Sequence, residues 1–171
     1  MNQRNPVKSI GRAEILKIYR GGIRSWDQVG GTATNIVPLW RERNSASREL
    51  FDALVSKGQH LPEPLQKEDL FSESMAGPFN RVTQDVNSLG YSVYYYEHFM
   101  ALSPYTRTVA IGGIEPNAES IASGKYPFTA DVYVAYRTGE PANSPGTKLL
   151  TWLLSPEGQA VVRESGYVPV K

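Results

Sequence analysis

The chain has 171 residues, of which 40% are hydrophobic and 20% charged, and its formal net charge is +1. These values are typical of a globular protein of one domain or two small lobes, and the near-neutral charge argues against a general nucleic-acid surface. The absence of cysteine excludes disulfides and thiolate sites. No apolar run approaches the length of about 18 residues of a transmembrane helix, and the polar start, Met1–Pro6, is not followed by the apolar region of a signal peptide.

The N-terminal part of the chain predicts two helices separated by a buried strand. A first helix is expected at about 12–19, with Glu14 placed to complete a cap at Gly11. The apolar run Ile36–Trp40 predicts a buried strand. A second helix is expected from about Ser45 to Lys57, because its apolar residues recur at helical spacing.

The rest of the chain predicts further alternating helices and strands. Period-two alternation favours strands, helical spacing favours helices, and Ser-Pro pairs mark helix starts. In chain order, the patterns predict a helix from about 79 to 89, a strand at 91–96, a strand at 108–111, a short helix at 117–123, a strand at 128–136, and two helices that begin at Ser144-Pro145 and Ser155-Pro156. This order indicates an α/β protein with a mixed sheet flanked by helices.

The strongest functional signal follows the strand predicted at Ile36–Trp40. Arg41 comes directly after that run, and Ser45, Ala46 and Ser47 open the next helix. Ser45 can cap the helix, whose first N–H groups and positive dipole end favour an anion. Arg41 can present a bidentate fork to two oxygens of a tetrahedral oxyanion. The alternative is a plain serine cap beside solvated arginines, and the local sequence leaves both interpretations open.

Neither a metal site nor a catalytic set is visible. His60 and His98 have no paired ligands around them, so both are expected to be structural or exposed, and no cofactor is predicted. Ser45 does not stand in a Gly-x-Ser-x-Gly elbow, and neither histidine has the context of a base. We therefore expect that the protein is not an enzyme.

Two further groups of residues are weaker candidates. The tyrosines at 91, 94, 95 and 96 could form an aromatic ligand box, but alternation along the predicted strand sends Tyr94 and Tyr96 to one face and Tyr95 to the other, which favours core packing on one side. Asn80 and Arg81 stand near a helix start and could line a cleft.

Several sequence blocks occur in order along nearly the whole chain. They are Asn5–Trp26, Leu89–Ser92, Gly113–Pro127, Trp152–Gln159 and Gly166–Pro169. Together they resemble the phosphate-binding proteins that serve ABC transporters, which have the type II periplasmic-binding-protein fold. The resemblance implies one such domain over residues 1–171, consisting of the second lobe plus a C-terminal segment and truncated at the N-terminus relative to the family.

The same resemblance implies which residues bind the ligand. In the family, the second lobe holds phosphate through an R-x-D/E-G-S-G-T segment. Arg41 falls on its arginine, Ser45 on its serine, Ala46 on its second glycine and Ser47 on its threonine. These four residues, with the Ala46 N–H, are therefore expected to form one jaw of an oxyanion site.

Three positions depart from the family pattern. Arg43 stands where an acidic residue usually orients the arginine, and it would either repel Arg41 or supply a second anion contact. Asn44 replaces a glycine, which is mild because Asn tolerates left-handed backbone angles. Ala46 keeps the N–H of its glycine but adds a methyl group.

The resemblance also implies partners and a location. The expected function is binding of phosphate or a related oxyanion for ABC-type uptake, with a transporter permease as protein partner, in a periplasmic or extracellular setting. The alternative is a transport-inactive interaction or sensory module that kept the fold. In either case, apolar surface left by the absent first lobe could drive homodimerisation.

Overall fold

The computed structural model describes residues 1–59, 61–62, 74–101 and 103–170. Its helices are α1 (Arg12–Tyr19), α2 (Ala46–Phe51), α3 (Gly77–Gln84), α4 (Ala118–Ala122), α5 (Pro145–Leu153) and α6 (Pro156–Glu164). A 3-10 helix spans Trp26–Val29, and π-helical turns span Asp52–Ser56 and Tyr96–Met100. The strands are β1 (Ser9–Ile10), β2 (Val37–Pro38), β3 (Ser88–Leu89) and β4 (Ala110–Ile111).

Two short parallel ladders connect distant parts of the chain. In the first, β1 pairs with β4, and in the second, β2 pairs with β3, with Val37 opposite Ser88 and Pro38 opposite Leu89. Isolated antiparallel bridges, such as Ser25–Asn35, accompany them. The predicted α/β class with parallel and antiparallel pairing is confirmed, although each described ladder is only two residues long.

One hydrophobic core lies beneath these ladders. Trp26 is fully buried, and its indole Nε1 donates to the Asn87 carbonyl at 3.1 Å. The other buried members of the core are Met1, Val7, Ile10, Ile15, Ile18, Tyr19, Ile36, Phe51, Leu61, Leu89 and Ile111. Every described residue of this buried cluster therefore precedes residue 112, and the C-terminal third contributes only partly buried Tyr126 and Phe128.

The two C-terminal helices pack mainly on each other. Gly158, near the start of α6, allows this approach, because a Cβ atom there would stand 2.0 Å from the Trp152 carbonyl oxygen. Past α6, the Tyr167 ring stacks on Tyr95 with centroids 4.1 Å apart. This aromatic contact therefore connects the two C-terminal helices to the middle of the chain.

Several predicted elements are confirmed. Helix α1 begins after Gly11, whose N–H donates to the Glu14 carboxylate at 2.6 Å. The Ser45 helix starts where expected, and the helical turns continue to Ser56 through the π-helical segment. Ser144 and Ser155 cap α5 and α6, each accepting a backbone N–H at 3.2 Å.

The predicted strand at Tyr91–Tyr96 is wrong. Residues 91–93 are irregular, and the chain then enters a helical turn. Four-residue spacing explains this outcome, because Tyr94 stacks on His98 and Tyr95 packs on Phe99. The strand lies earlier, at Ser88–Leu89, where the helix from 79 was expected to continue. Side-chain packing across a helical turn therefore outweighs the β-propensity of aromatic residues.

The predicted strand at 128–136 does not form a ladder. These residues lie in neither helix nor strand, and no described strand pairs with them. Their alternating sequence is typical of a strand, but a strand needs a partner for its backbone groups. His60 lies outside the described residues.

Candidate functional site

Arg41 lies three residues after β2 and is only 6% exposed. Its backbone N–H donates to the Tyr91 hydroxyl at 3.2 Å, and its Nη1 donates to the Ser74 carbonyl oxygen. Its Nε is buried without an acceptor among the described residues, and none of their carboxylates forms an ion pair with it. A buried guanidinium with an unused donor is a costly arrangement unless an anion completes it.

Ser74 connects Arg41 to the start of α3. The Ser74 carbonyl also accepts the Gly77 N–H at 3.0 Å, and the Ser74 hydroxyl accepts the Ala76 N–H at 3.1 Å. The guanidinium therefore lies at the N-terminal end of a second helix, besides preceding α2 in sequence. One turn into α3, Asn80 is exposed and Arg81 is half-buried, and no described contact joins either to Arg41.

Ser45 is the N-cap of α2. Its backbone is extended, with φ −80° and ψ 138°, and its hydroxyl oxygen accepts the Arg48 N–H at 3.2 Å. Ala46 is exposed and Ser47 is half-buried. Helical geometry gives the N–H groups of the first turn no intrahelical acceptor, so those of Ala46 and Ser47 are available to a ligand.

The predicted site residues thus share one loop-to-helix junction, but no hydrogen bond within the described residues joins Arg41 to Ser45 or Ser47. Arg43 and Asn44 form the turn between them, and both are exposed. Asn44 does not use the left-handed region, since Lys57 is the one non-glycine residue with positive φ in the described chain. The Gly-to-Asn departure therefore causes no backbone strain at this turn.

A cluster of aromatic rings packs next to this loop-to-helix junction. The Phe51 and Tyr91 rings stack with centroids 4.5 Å apart, and Tyr19 packs against both Phe51 and Trp40. Arg48 lies 4.5 Å above the Trp40 ring and forms an ion pair with Asp52 at 2.9 Å. Arg48 is thereby engaged in holding α2, so we do not assign it to the ligand.

Burial raises the pKa values of two tyrosines in this cluster, Tyr91 and Tyr19. Burial raises the pKa of Tyr91 to about 12, while its hydrogen bond from the Arg41 N–H opposes the rise. Burial also raises the pKa of Tyr19 well above its ordinary value. Both phenols are therefore protonated at neutral pH, and the Tyr91 hydroxyl can accept from Arg41 while keeping its own proton.

The weaker candidates remain apart from this junction. His98 is exposed and stacks on Tyr94, whose predicted strand alternation is replaced by helical stacking. Within the described residues, no group of three His, Cys, Asp or Glu side chains could hold a metal ion. In the same part of the chain, no helix has the length and apolar character needed to cross a membrane.

Sequence reasoning did not indicate the contacts that Ser74 and Tyr91 make with Arg41, and it considered Tyr91 as a member of an aromatic group. These two residues lie 33 and 50 residues from Arg41 in the chain. The Gly77-Pro78 pair at the start of α3 is a helix-start signal that could have indicated Ser74, whereas no local pattern indicates the contact between Tyr91 and Arg41.

Comparison with known proteins defines the class of this fold. A family model described as a PBP superfamily domain matches residues 1–157, and the chain belongs to that family. The phosphate-binding protein PstS of Bacillus subtilis is 27% identical over 166 residues, which cover 96% of this chain and 51% of that protein. PstS of Borreliella burgdorferi is 23% identical over 168 residues, covering 96% of this chain and 60% of that protein.

Solved structures agree with these relatives. A Clostridium perfringens structure, described as a phosphate ABC transporter substrate-binding protein with bound phosphate, has a TM-score of 0.77 and 26% identity over 98% of this chain and 65% of that one. An ABC-type phosphate transport receptor from Vibrio cholerae has a TM-score of 0.73 at 21% identity, covering 99% and 67%. The predicted resemblance and the type II periplasmic-binding-protein fold are confirmed. The chain spans about half the length of the first curated relative.

Proposed function

We propose that this chain forms part of a solute-binding protein that binds phosphate or a related oxyanion for ABC-type uptake. Arg41, Ser45, the Ala46 N–H and Ser47 form one jaw of the site. Residues 1–171 act as one domain, the second lobe plus a C-terminal segment. The partner is a transporter permease, and the protein works in the periplasm or outside the cell. We propose no catalytic step, since the Ser45 hydroxyl serves as a helix cap.

The observation that carries this proposal is the buried Arg41. Its guanidinium has one donor on the Ser74 carbonyl and a buried Nε with no acceptor among the described residues. An oxyanion accepts charge-assisted hydrogen bonds from such a fork and neutralises its charge. The adjoining first turn of α2 supplies outward N–H groups and the positive end of the helix dipole.

The test is calorimetric titration of the purified chain with inorganic phosphate and, separately, sulfate. We expect 1:1 binding in the unsubstituted chain. Arg41→Gln should weaken it by at least about thirtyfold, because loss of a buried charged partner costs about 2–5 kcal/mol. Arg41→Lys should recover little, because an ammonium lacks the planar fork.

Arg163→Gln is the matched control. Arg163 is an exposed residue near the end of α6, so this change removes the same charge outside the site. It should leave the affinity within twofold. Absence of binding to both anions at millimolar concentration, or equal binding by the Arg41→Gln and Arg163→Gln chains, would contradict the site.

A further inference from the structure

The Arg48 side chain contacts residues on both sides of the loop-to-helix junction that carries the candidate site. Its guanidinium carbon lies 4.5 Å from the centroid of the Trp40 ring, and its Nε donates to the Asp52 carboxylate at 2.9 Å. Trp40 immediately precedes Arg41, and Asp52 directly follows α2. Only 14% of the Arg48 side chain is exposed. All these residues belong to the stretch 40–52, so the contacts are made within one continuous piece of the chain.

The loop before α2 depends on side chains for its position. The Leu39 N–H continues the ladder between β2 and β3, because it donates to the Leu89 carbonyl at 2.8 Å. Two residues later, the Arg41 N–H donates to the Tyr91 hydroxyl instead. Trp40 stands between these two points, so a contact that holds the Trp40 ring also limits where Arg41 lies.

We propose that Arg48 is a positioning residue for Arg41. Its guanidinium is anchored on Asp52 at the end of α2 and covers the Trp40 ring, and it thereby fixes the loop against the helix. The buried Arg41 fork is then held beside the first turn of α2. This inference rests on the oxyanion site proposed above, and it adds a residue that holds this site without touching the anion.

The chemistry of the contacts explains why the residue is an arginine. A planar guanidinium can place one face on an indole ring while an N–H at its edge reaches a carboxylate. A lysine ammonium is a compact charge without such a plane. The Asp52 carboxylate also neutralises the Arg48 charge, which is therefore engaged within the chain and not directed at a ligand.

Calorimetric titration with inorganic phosphate tests the role of Arg48. Arg48→Gln keeps a good helix former and the backbone N–H that donates to the Ser45 hydroxyl. It should weaken phosphate binding about tenfold, because the loop loses its contact with α2. Arg48→Lys should recover less than half of this loss, although it keeps the charge.

Arg12→Gln is the matched control. The Arg12 guanidinium carbon also lies over an aromatic ring, 5.4 Å from the Phe128 centroid, at the first residue of α1. The substitution therefore removes the same charge and the same kind of contact outside the junction. It should leave the phosphate affinity within twofold.

Asp52→Ala separates positioning from direct binding, because the two roles predict opposite effects. If Arg48 bound the anion itself, loss of the Asp52 carboxylate would release its guanidinium and remove a nearby negative charge, so phosphate would bind more tightly. If Arg48 positions Arg41, the guanidinium loses its anchor. Phosphate should then bind about threefold more weakly, despite the removal of a negative charge.

Amide hydrogen exchange, followed by NMR without any anion, gives a second measurement. In Arg48→Gln, the Arg41 N–H should exchange at least tenfold faster, because the loop opens more readily. The Leu39 N–H lies in the ladder and should stay within twofold. General destabilisation would accelerate both amides alike.

Four results would overturn the proposal. They are tighter phosphate binding by Asp52→Ala, equal losses of affinity in Arg48→Gln and Arg12→Gln, an unchanged exchange rate of the Arg41 N–H, and equal acceleration of the Arg41 and Leu39 amides. If the unsubstituted chain binds no anion, the proposed function fails, and the exchange rates still decide whether Arg48 holds the loop.

Discussion

At the scale of single residues, the candidate site combines a buried charge with a neutral phenol. The Tyr91 hydroxyl receives the Arg41 N–H at 3.2 Å and lies in the same aromatic cluster as Phe51. Arg41 became a candidate because it directly follows an apolar run, precedes a serine cap and falls on the arginine of the phosphate-binding segment in the family that the chain resembles. Its contact with Tyr91 was not predictable, because a hydrogen bond across 50 residues leaves no local trace in the sequence.

Replacement of Tyr91 by Phe tests its positioning role. The change keeps the ring and removes the acceptor of the Arg41 N–H, so it should lower the free energy of unfolding by about 1 kcal/mol. Phosphate affinity should fall severalfold, because the loop that carries Arg41 loses its fixed position. Urea unfolding and calorimetry measure the two effects. An unchanged affinity would separate Tyr91 from the site.

The pH dependence of stability follows from the raised pKa values of Tyr91 and Tyr19. The folded pKa of Tyr91 is about 12, above the ordinary value of about 10 that applies to the unfolded chain. Its contribution to stability is therefore fully present below about pH 10 and is lost as the pH rises towards 12. Urea unfolding at pH 8, 10 and 11 should show this loss in the unsubstituted chain and a smaller one in Tyr91→Phe. Equal losses in both would contradict the assignment.

At the scale of elements, the start of α2 has two roles that a substitution can separate. Ser45→Asp keeps a good N-cap and favours the helix dipole, so thermal stability should stay within about 0.5 kcal/mol. The added carboxylate should abolish binding of phosphate by repulsion. Ser155→Asp makes the same change at the cap of α6, which has the same geometry, and should leave binding intact. If both variants bind phosphate equally, Ser45 is only a cap.

A second element-scale prediction concerns the contact between α5 and α6. Gly158→Ala would bring a methyl group within 2.0 Å of the Trp152 carbonyl and 2.7 Å of the Leu153 Cα. Because both are backbone atoms, the helices must separate, and the cost should be about 1–3 kcal/mol. Trp152 fluorescence should move to longer wavelength. Gly146→Ala in α5, where a Cβ atom meets only side-chain oxygens at 3.8 Å or more, should have little effect.

The helices with caps were predictable, and the strands predicted at Ile36–Trp40 and 108–111 are confirmed as β2 and β4, whereas two other strand predictions were not confirmed. Gly11, Ser45, Ser144 and Ser155 start helices where their local hydrogen bonds predict. The strands depend on partners far away in the chain, so local alternation placed one at Tyr91–Tyr96, where helical stacking prevails. The alternating segment at 128–136 shows the same limitation, because no described strand lies beside it.

At the scale of the whole molecule, burial is uneven along the chain. Trp26 is completely buried, whereas Trp152 is 44% exposed. Trp26→Ala should cost about 3–5 kcal/mol, a large part of the roughly 5–15 kcal/mol by which a typical domain is stable, and should lower the melting temperature strongly. Trp152→Ala should cost much less. Calorimetric melting of both variants measures the difference, and similar melting temperatures would contradict a core centred on Trp26.

The placement of that core has a consequence for how the molecule opens. Among the described residues, none after Ile111 belongs to the buried cluster, and α5 and α6 depend mainly on each other and on the Tyr95–Tyr167 stack. Parts of a protein with few buried apolar contacts open at lower free energy than the rest. Amide hydrogens of α5 and α6 should therefore exchange with deuterium well before those of α1, through excursions in which the N-terminal two-thirds stays folded. A proteolytic nick in the C-terminal third would then release a fragment without unfolding the remainder.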